Sequence, residues 1–294
     1  KMTVCQLYAK QIRHRGNVRY NTKNGRKRLM KLLEEDKLGG CPIDSVKLSD
    51  AKEWAIRMKE KGISYKTISN DKRSLKAAFY TAIQDDCIRK NPFDFQLNTV
   101  IEDDTEPKVP LTPAQEESFL SFAQNDKVYQ KYYDELIILL GTGLRISELC
   151  GLTDTDINFE NRIINVDHQL LRSAETGYYI ETPKTKSGIR QIPMSEKVYE
   201  AFNRVLKRRR GAKAVTIDGY SNFLFLNRDG YPKTATNYDG MFRGLAKKYN
   251  KYHEEALPKV MTPHTLRHTF CTNMANAGMN PKALQYIMGH SNIT

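Results

Sequence analysis

The chain has 294 residues, 39% of them hydrophobic and 28% charged, enough for two domains with cores of their own. No apolar run approaches the ~18 to 20 residues of a membrane span. Five scattered cysteines (Cys5, Cys41, Cys87, Cys150, Cys271), none in a C-x-x-C pair, argue against a disulfide framework or a metal centre and for a reducing compartment.

The formal net charge of +13 is unevenly placed. Residues 1–97 hold 22 Lys+Arg against 11 Asp+Glu, and residues 98–294 hold 25 against 23. A basic excess confined to one part of the chain points to a polyanionic partner. That part is predicted helical. TKNGRKRLMKLLEED (22–36) sets Leu29, Met30, Leu32 and Leu33 among lysines and arginines. SDAKEWAIRMKEKG (49–62) opens on a Ser49/Asp50 cap and closes at Gly62. The stretch from Ile63 to Phe93 places Ile68, Leu75, Phe79 and Ile83 at helical spacing, with Pro92 as the expected stop. A helical domain over 1–97 follows. LNTVIEDDTEPKVPLTPAQ then brings four acidic residues and three prolines, read as a linker over 98–110.

The second domain, 111–294, is mixed. Helices are expected at PAQEESFLSFAQ and YYDELIILLGTG. RIINVDHQL, GYYIETP and IRQIPM alternate like short strands of a small antiparallel sheet. Helices resume at SEKVYEAFNRVLKRRR, NYDGMFRGLAKKYNKY, HTLRHTFCTNMANAG and PKALQYIMGH. The fold class is therefore mainly α with a small antiparallel β-sheet.

Candidate functional groups lie along this second domain. In GTGLRISELCGL a glycine turn precedes Arg145, with Glu148 placed either to orient that arginine or to cap the next helix. In TPKTKSGIRQIPM, Lys184 and Lys186 sit next to a Ser187–Gly188 turn signal between strand-like segments. TPHTLRHTF puts His264 and Arg267 three residues apart at the start of a helix, whose electropositive end suits an anion. Gly278 and Asn280–Pro281 turn the chain sharply, so that His290 can come back towards Arg267.

The order Arg, Lys, His-x-x-Arg, Gly-His resembles the tyrosine recombinase (phage-type integrase) family. Wording such as SDAKEWAIRM, QDDCIRKNPFDFQL and TPHTLRHTFCTNMANAGMNPKALQYIMGH is most similar to the integrases of conjugative transposons. The resemblance covers nearly the whole chain. It implies a helical core-site DNA-binding domain and a catalytic domain that together clamp duplex DNA, and a reaction through a 3′-phosphotyrosine intermediate. By the same resemblance, Arg145 and Arg267 stabilise the reacting phosphate, which suits side chains that stay charged and present a planar fork of donors. A hairpin lysine protonates the leaving 5′-oxygen; Lys184 matches best and Lys186 is the alternative. His264 helps deprotonate the nucleophile, and His290 donates to the transition state. No cofactor or metal is implied.

The nucleophilic tyrosine is expected about nine residues past the Gly289–His290 pair, and none of the sixteen tyrosines holds that place. Tyr286, at helical spacing in ALQYIMGH, is expected to be a core or packing residue. A chain ending at Thr294 would lack its nucleophile and be inactive, and one beginning at Lys1 would lack an arm-binding module. Candidate DNA contacts are Arg19, Lys23, Arg26, Lys27, Arg28, Lys66, Lys72 and Arg73, with Lys186. Expected partners are double-stranded DNA, further copies of the chain forming a dimer or tetramer on it, and an excisionase-type accessory protein. The expected location is the bacterial cytoplasm, at the nucleoid, and not a membrane. Two other readings stand beside this one: a type IB topoisomerase, and a non-catalytic regulator using MANAGMNPKALQYIMGH as a helix-turn-helix.

Overall fold

Val4, Leu7, Tyr8 and Gln11 recur at helical spacing and form the buried stripe of α1 (Val4–His14). The Thr3 hydroxyl accepts from the Gln6 N–H at 3.3 Å while Gln6 Oε1 accepts from the Thr3 N–H at 2.9 Å, closing a capping box. This helix precedes the first element expected from the sequence. The computed structural model describes residues 1–291 except positions 17, 184, 210, 212 and 213, and the chain divides into two units, Lys1–Pro107 and Lys108–Thr294.

In the first unit, α1, α2 (Tyr20–Glu34), α3 (Leu48–Glu60) and α4 (Tyr65–Gln84) pack around Trp54, which is fully buried. Phe93 meets Trp54 edge-on at 5.8 Å and Phe79 at 5.3 Å between ring centroids. The Arg57 fork closes on Asp36 at 2.9 and 2.7 Å. Pro92 does not end α4. The helix stops at Gln84, where Asp86 turns left-handed (φ 55) and the Cys87 N–H reaches back to the Ala82 carbonyl at 2.9 Å. Leu97 and Ile101 are buried in this core, so the first unit runs on through part of the stretch read as linker.

The second unit opens on α5 (Pro113–Asn125), where Thr112 and Gln115 form a capping box and Pro113 takes the first helical position. It continues through α6 (Tyr133–Thr142), α7 (Ile146–Gly151), α8 (Glu196–Arg209), α9 (Ala235–Tyr252), α10 (Pro263–Asn276) and α11 (Pro281–Met288). Their shared core holds Phe119, Leu136, Phe202, Phe225, Phe242 and Leu266.

Among the described residues, two small antiparallel sheets stand where one was expected. Strands β1 (Ile157–Asn158), β2 (Ile163–Val166) and β5 (Arg190–Pro193) form one in the order β1-β2-β5, with Ile164 opposite Ile192. Strands β3 (Gln169–Ser173) and β4 (Gly177–Glu181) form the other, with Leu171 opposite Tyr179. The stretch RIINVDHQL therefore spans two sheets, broken at Asp167–His168. The two His168 ring nitrogens lie at hydrogen-bond distance from the Asp167 carboxylate, 2.6 Å, and the Gly151 carbonyl, 2.7 Å. Among the described residues no helix is long and apolar enough to cross a membrane.

Candidate active site

Helix α6 is buried from Asp134 to Leu140 and ends where Gly143 turns left-handed at φ 62. A Cβ at Gly143 would lie 2.5 Å from Phe270 Cδ1, so both the backbone and the space demand glycine. The turn delivers Arg145 to the N-cap of α7. Its N–H donates to Glu148 Oε2 at 2.8 Å and its Nη1 to Glu148 Oε1 at 2.7 Å. One carboxylate thus serves both roles that the sequence left open, capping the helix and orienting the arginine. Arg145 Nη2 reaches the Gly289 carbonyl at 3.1 Å.

Arg267 arrives from α10, which starts with Thr262 at the N-cap and Pro263 in the first turn. It is 3% exposed and donates to the carbonyls of Gly143 and Met288. Its Nη2 also lies 3.1 Å from His290 Nε2. A guanidinium only donates, so Nε2 is the acceptor there and His290 is neutral in this contact. His290 follows α11, which Asn280 caps through Lys282 N–H at 2.9 Å and which ends at Gly289, again left-handed (φ 60). Carbonyls at two helix ends, unpaired within their own helices, are therefore satisfied by arginines.

The cluster carries an excess of positive charge. Glu148 is buried between Arg145 and Arg190, whose Nη1 and Nη2 hold its two oxygens at 3.0 and 2.8 Å. Three guanidinium charges against one carboxylate leave two positive charges over. Burial, then the neighbouring Arg145, brings Arg267 down to about 10. Burial, then Arg267, Arg145 and Arg190, holds the His290 imidazole below its ordinary range. Burial pushes the Glu148 carboxyl up, but Arg190 and Arg145 more than offset it and hold it below the usual glutamate value.

The structure thus brings Arg145, Arg267 and His290 together. His264 is exposed on the first turn of α10, while Arg267 points into the protein. Lys184 lies outside the described residues. Lys186 is exposed and begins a short 3-10 turn, Lys186–Gly188. Lys186 does not sit on a hairpin, because the strands before and after it belong to different sheets: β4 pairs with β3 and β5 with β2. Tyr286 is 52% exposed rather than in the core, and its hydroxyl accepts from the Gln191 N–H at 3.1 Å.

Arg190 was missed by reading the sequence. The signal that could have found it is parity, since Arg190 and Ile192 face inward on β5 while Gln191 and Pro193 face out. A charge on the buried register of a strand asks for a partner.

Among the DNA-contact candidates of the first unit, Lys23, Lys27 and Arg28 are exposed on α2, with Arg26 half-buried and Arg19 at the N-cap. Lys66 and Arg73 are exposed on α4. Arg28 is paired with Asp71 at 2.5 Å, and the Lys72 ammonium sits 4.5 Å over the Phe95 ring. A cavity of about 750 Å³, lined by Lys131, Glu135, Arg208, Arg228 and Lys233 among others, lies at the opposite end of α6 from Arg145 and contains no member of the arginine cluster. Asp156, Asp167 and His168 lie close enough together to hold a cation, but both His168 ring nitrogens are already hydrogen-bonded.

Residues 110–294 match the family model described as phage integrase family. Over 293 residues the chain is 68% identical to the transposase from transposon Tn916 of Enterococcus faecalis, an alignment covering 100% of this chain and 72% of that protein. The transposase from transposon Tn1545 of Streptococcus pneumoniae matches to the same extent, 68% over 293 residues with 100% and 72% coverage. Among solved structures, the Tn1549 transposon integrase in complex with a circular intermediate DNA superposes with a TM-score of 0.96 at 76% identity, over 99% of this chain and 93% of that one.

Proposed function

This chain belongs to the phage integrase family, and from that membership we propose that it is a site-specific recombinase that cuts and rejoins duplex DNA to excise and integrate a conjugative transposon. The observation that carries the proposal is the convergence of Arg145, Arg267 and His290, drawn from three separate segments, at the turn that ends α11.

In the proposed reaction a tyrosine hydroxyl, expected beyond His290, attacks the scissile phosphorus. A new tyrosine O–P bond forms, the P–O5′ bond breaks, and the 5′-oxygen leaves as a hydroxyl with a proton from Lys184 or, alternatively, Lys186. Charge accumulates on the non-bridging oxygens at the five-coordinate stage, and preorganised guanidinium donors lower its energy most there. Arg145 and Arg267 are fixed before DNA arrives, so little reorganisation remains for the chemical step. His264 and His290 are assigned to proton transfer at the nucleophile and to phosphate hydrogen bonding. Rejoining reverses these steps, and the phosphotyrosine conserves the bond energy, which is why the reading needs no cofactor.

The first unit supplies core-site affinity through the basic faces of α2 and α4, mostly by phosphate contacts. The finer parts of the reading are assembly of two or four copies on the DNA, an excisionase-type partner, and action in the bacterial cytoplasm at the nucleoid. The test uses a suicide duplex carrying a nick in the crossover strand, which traps covalent protein–DNA complex. In the full-length protein, Arg145→Ala and Arg267→Ala are each expected to reduce trapping roughly 100- to 1000-fold, as loss of an oxyanion donor does, with duplex binding largely kept. Undiminished trapping would overturn the assignment.

A further inference from the structure

We propose that Arg190 is a positioning residue of this site: it fixes Glu148, and through it Arg145, and seats the turn that carries His290. The inference rests on the reading of the cluster as the DNA-cleaving centre.

The Arg190 side chain is wholly buried, and each of its three nitrogens donates. Nε donates to the Ile287 carbonyl at 2.6 Å, Nη1 to Glu148 Oε1 at 3.0 Å and the Gly188 carbonyl at 3.1 Å, and Nη2 to Glu148 Oε2 at 2.8 Å. Glu148 Oε1 is therefore shared with Arg145 Nη1. The two arginines differ in what they can reach. Arg145 keeps 39% of its side chain exposed, whereas Arg190 holds the same carboxylate from inside with its side chain wholly buried.

Three segments meet on this one guanidinium. They are α7 through Glu148, the last turn of α11 through Ile287, and the segment leading from Lys186 into β5 through Gly188. A Cβ at Gly289 would fall 3.1 Å from Arg190 Nη1 and 3.2 Å from the Ser187 carbonyl, so the His290 turn rests directly against the arginine. Burying such a charge contributes little net stability compared with an apolar side chain of similar volume. What it supplies is a rigid fork that matches a carboxylate in two places, which an ammonium group cannot reproduce.

The experiment compares Arg190→Lys with wild type in the full-length protein, using the suicide duplex at saturating concentration under single-turnover conditions. Misplacing Arg145 is expected to lower the trapping rate constant about 10- to 100-fold. Affinity for uncut duplex should stay within about twofold, the mark of an interaction realised in the transition state. Combining Arg190→Lys with Arg145→Lys should cost no more than about threefold beyond Arg145→Lys alone, because both act through one contact. Glu148→Gln, which weakens the same link and leaves Arg190 in place, should reproduce the rate loss if the lysine variant folds poorly. A wild-type rate in Arg190→Lys, full additivity with Arg145→Lys, or parallel losses of rate and duplex affinity would each overturn the assignment. Failure of the wild-type protein to trap any complex would instead overturn the parent reading.

Discussion

Replacing Glu148 with glutamine removes the one carboxylate among three guanidinium groups at nearly constant size. Glu148 accepts from the Arg145 N–H, Arg145 Nη1, and Nη1 and Nη2 of Arg190, with its side chain 5% exposed. An amide oxygen can keep some of these bonds, but the amide NH2 would face donors. Removing one partner of a buried ion pair costs roughly 3 to 5 kcal/mol, and the retained bonds place the loss near ~3 kcal/mol. In a unit of this size each kcal/mol lowers the melting temperature by ~2 to 4 °C, so a fall of ~6 to 12 °C is expected. Thermal unfolding followed by circular dichroism and calorimetry measures it. Inorganic phosphate should recover more of the loss in the variant than it adds to wild type, since anion binding stabilises the folded state by mass action and the variant cluster carries one more uncompensated charge. A melting temperature within about 2 °C of wild type would refute the reasoning, because so small a change means the carboxylate compensates little buried charge.

Other expectations follow from single contacts. Gly143→Ala places a methyl group 2.5 Å from Phe270 at a left-handed position, and the backbone and packing costs together predict about 2 to 5 kcal/mol lost in urea unfolding; a loss below about 1 kcal/mol would contradict the close approach. His290 is held neutral when folded, whereas an unfolded histidine takes up a proton near pH ~6.5. The unfolded chain therefore binds more protons as pH falls through that range, and stability falls with it. His290→Gln should flatten this dependence, and equal slopes in both proteins would count against it. Replacing Lys23, Lys66 and Arg73 together by glutamine should reduce the slope of log affinity against log salt by up to ~3, at about 0.9 per phosphate contact. An unchanged slope would remove them from the DNA face.

Much of the architecture could be read from local signals. The Thr112–Pro113–Gln115 start of α5 and the Asn280–Pro281 start of α11 carry their caps in the sequence. Helix α1 carried one too, Thr3 with Gln6, but its polar VCQLYAKQIRH face hid the apolar stripe. The end of α4 was misread because Pro92 is a conspicuous stop, whereas the actual one is a left-handed aspartate, a conformation that sequence only weakly favours. Alternation runs through RIINVDHQL without a break, so a period of two cannot reveal that the strand changes sheets at Asp167. Which strand β5 pairs with is equally absent from its own residues. At the site, Arg145, Arg267 and His290 were legible as a family pattern. Their convergence was not, because three of the acceptors that hold the two arginines are peptide carbonyls with no side-chain signature.

Those carbonyls have an evolutionary consequence. An acceptor that belongs to the main chain survives every substitution at its own position, provided the chain still follows the same path. The aim of Arg267 is thus inherited with the path through two glycine bends, whereas that of Arg145 also needs the Glu148 carboxylate. The side chain at Met288 could then change without removing the acceptor that holds Arg267 there, so long as the bends remain.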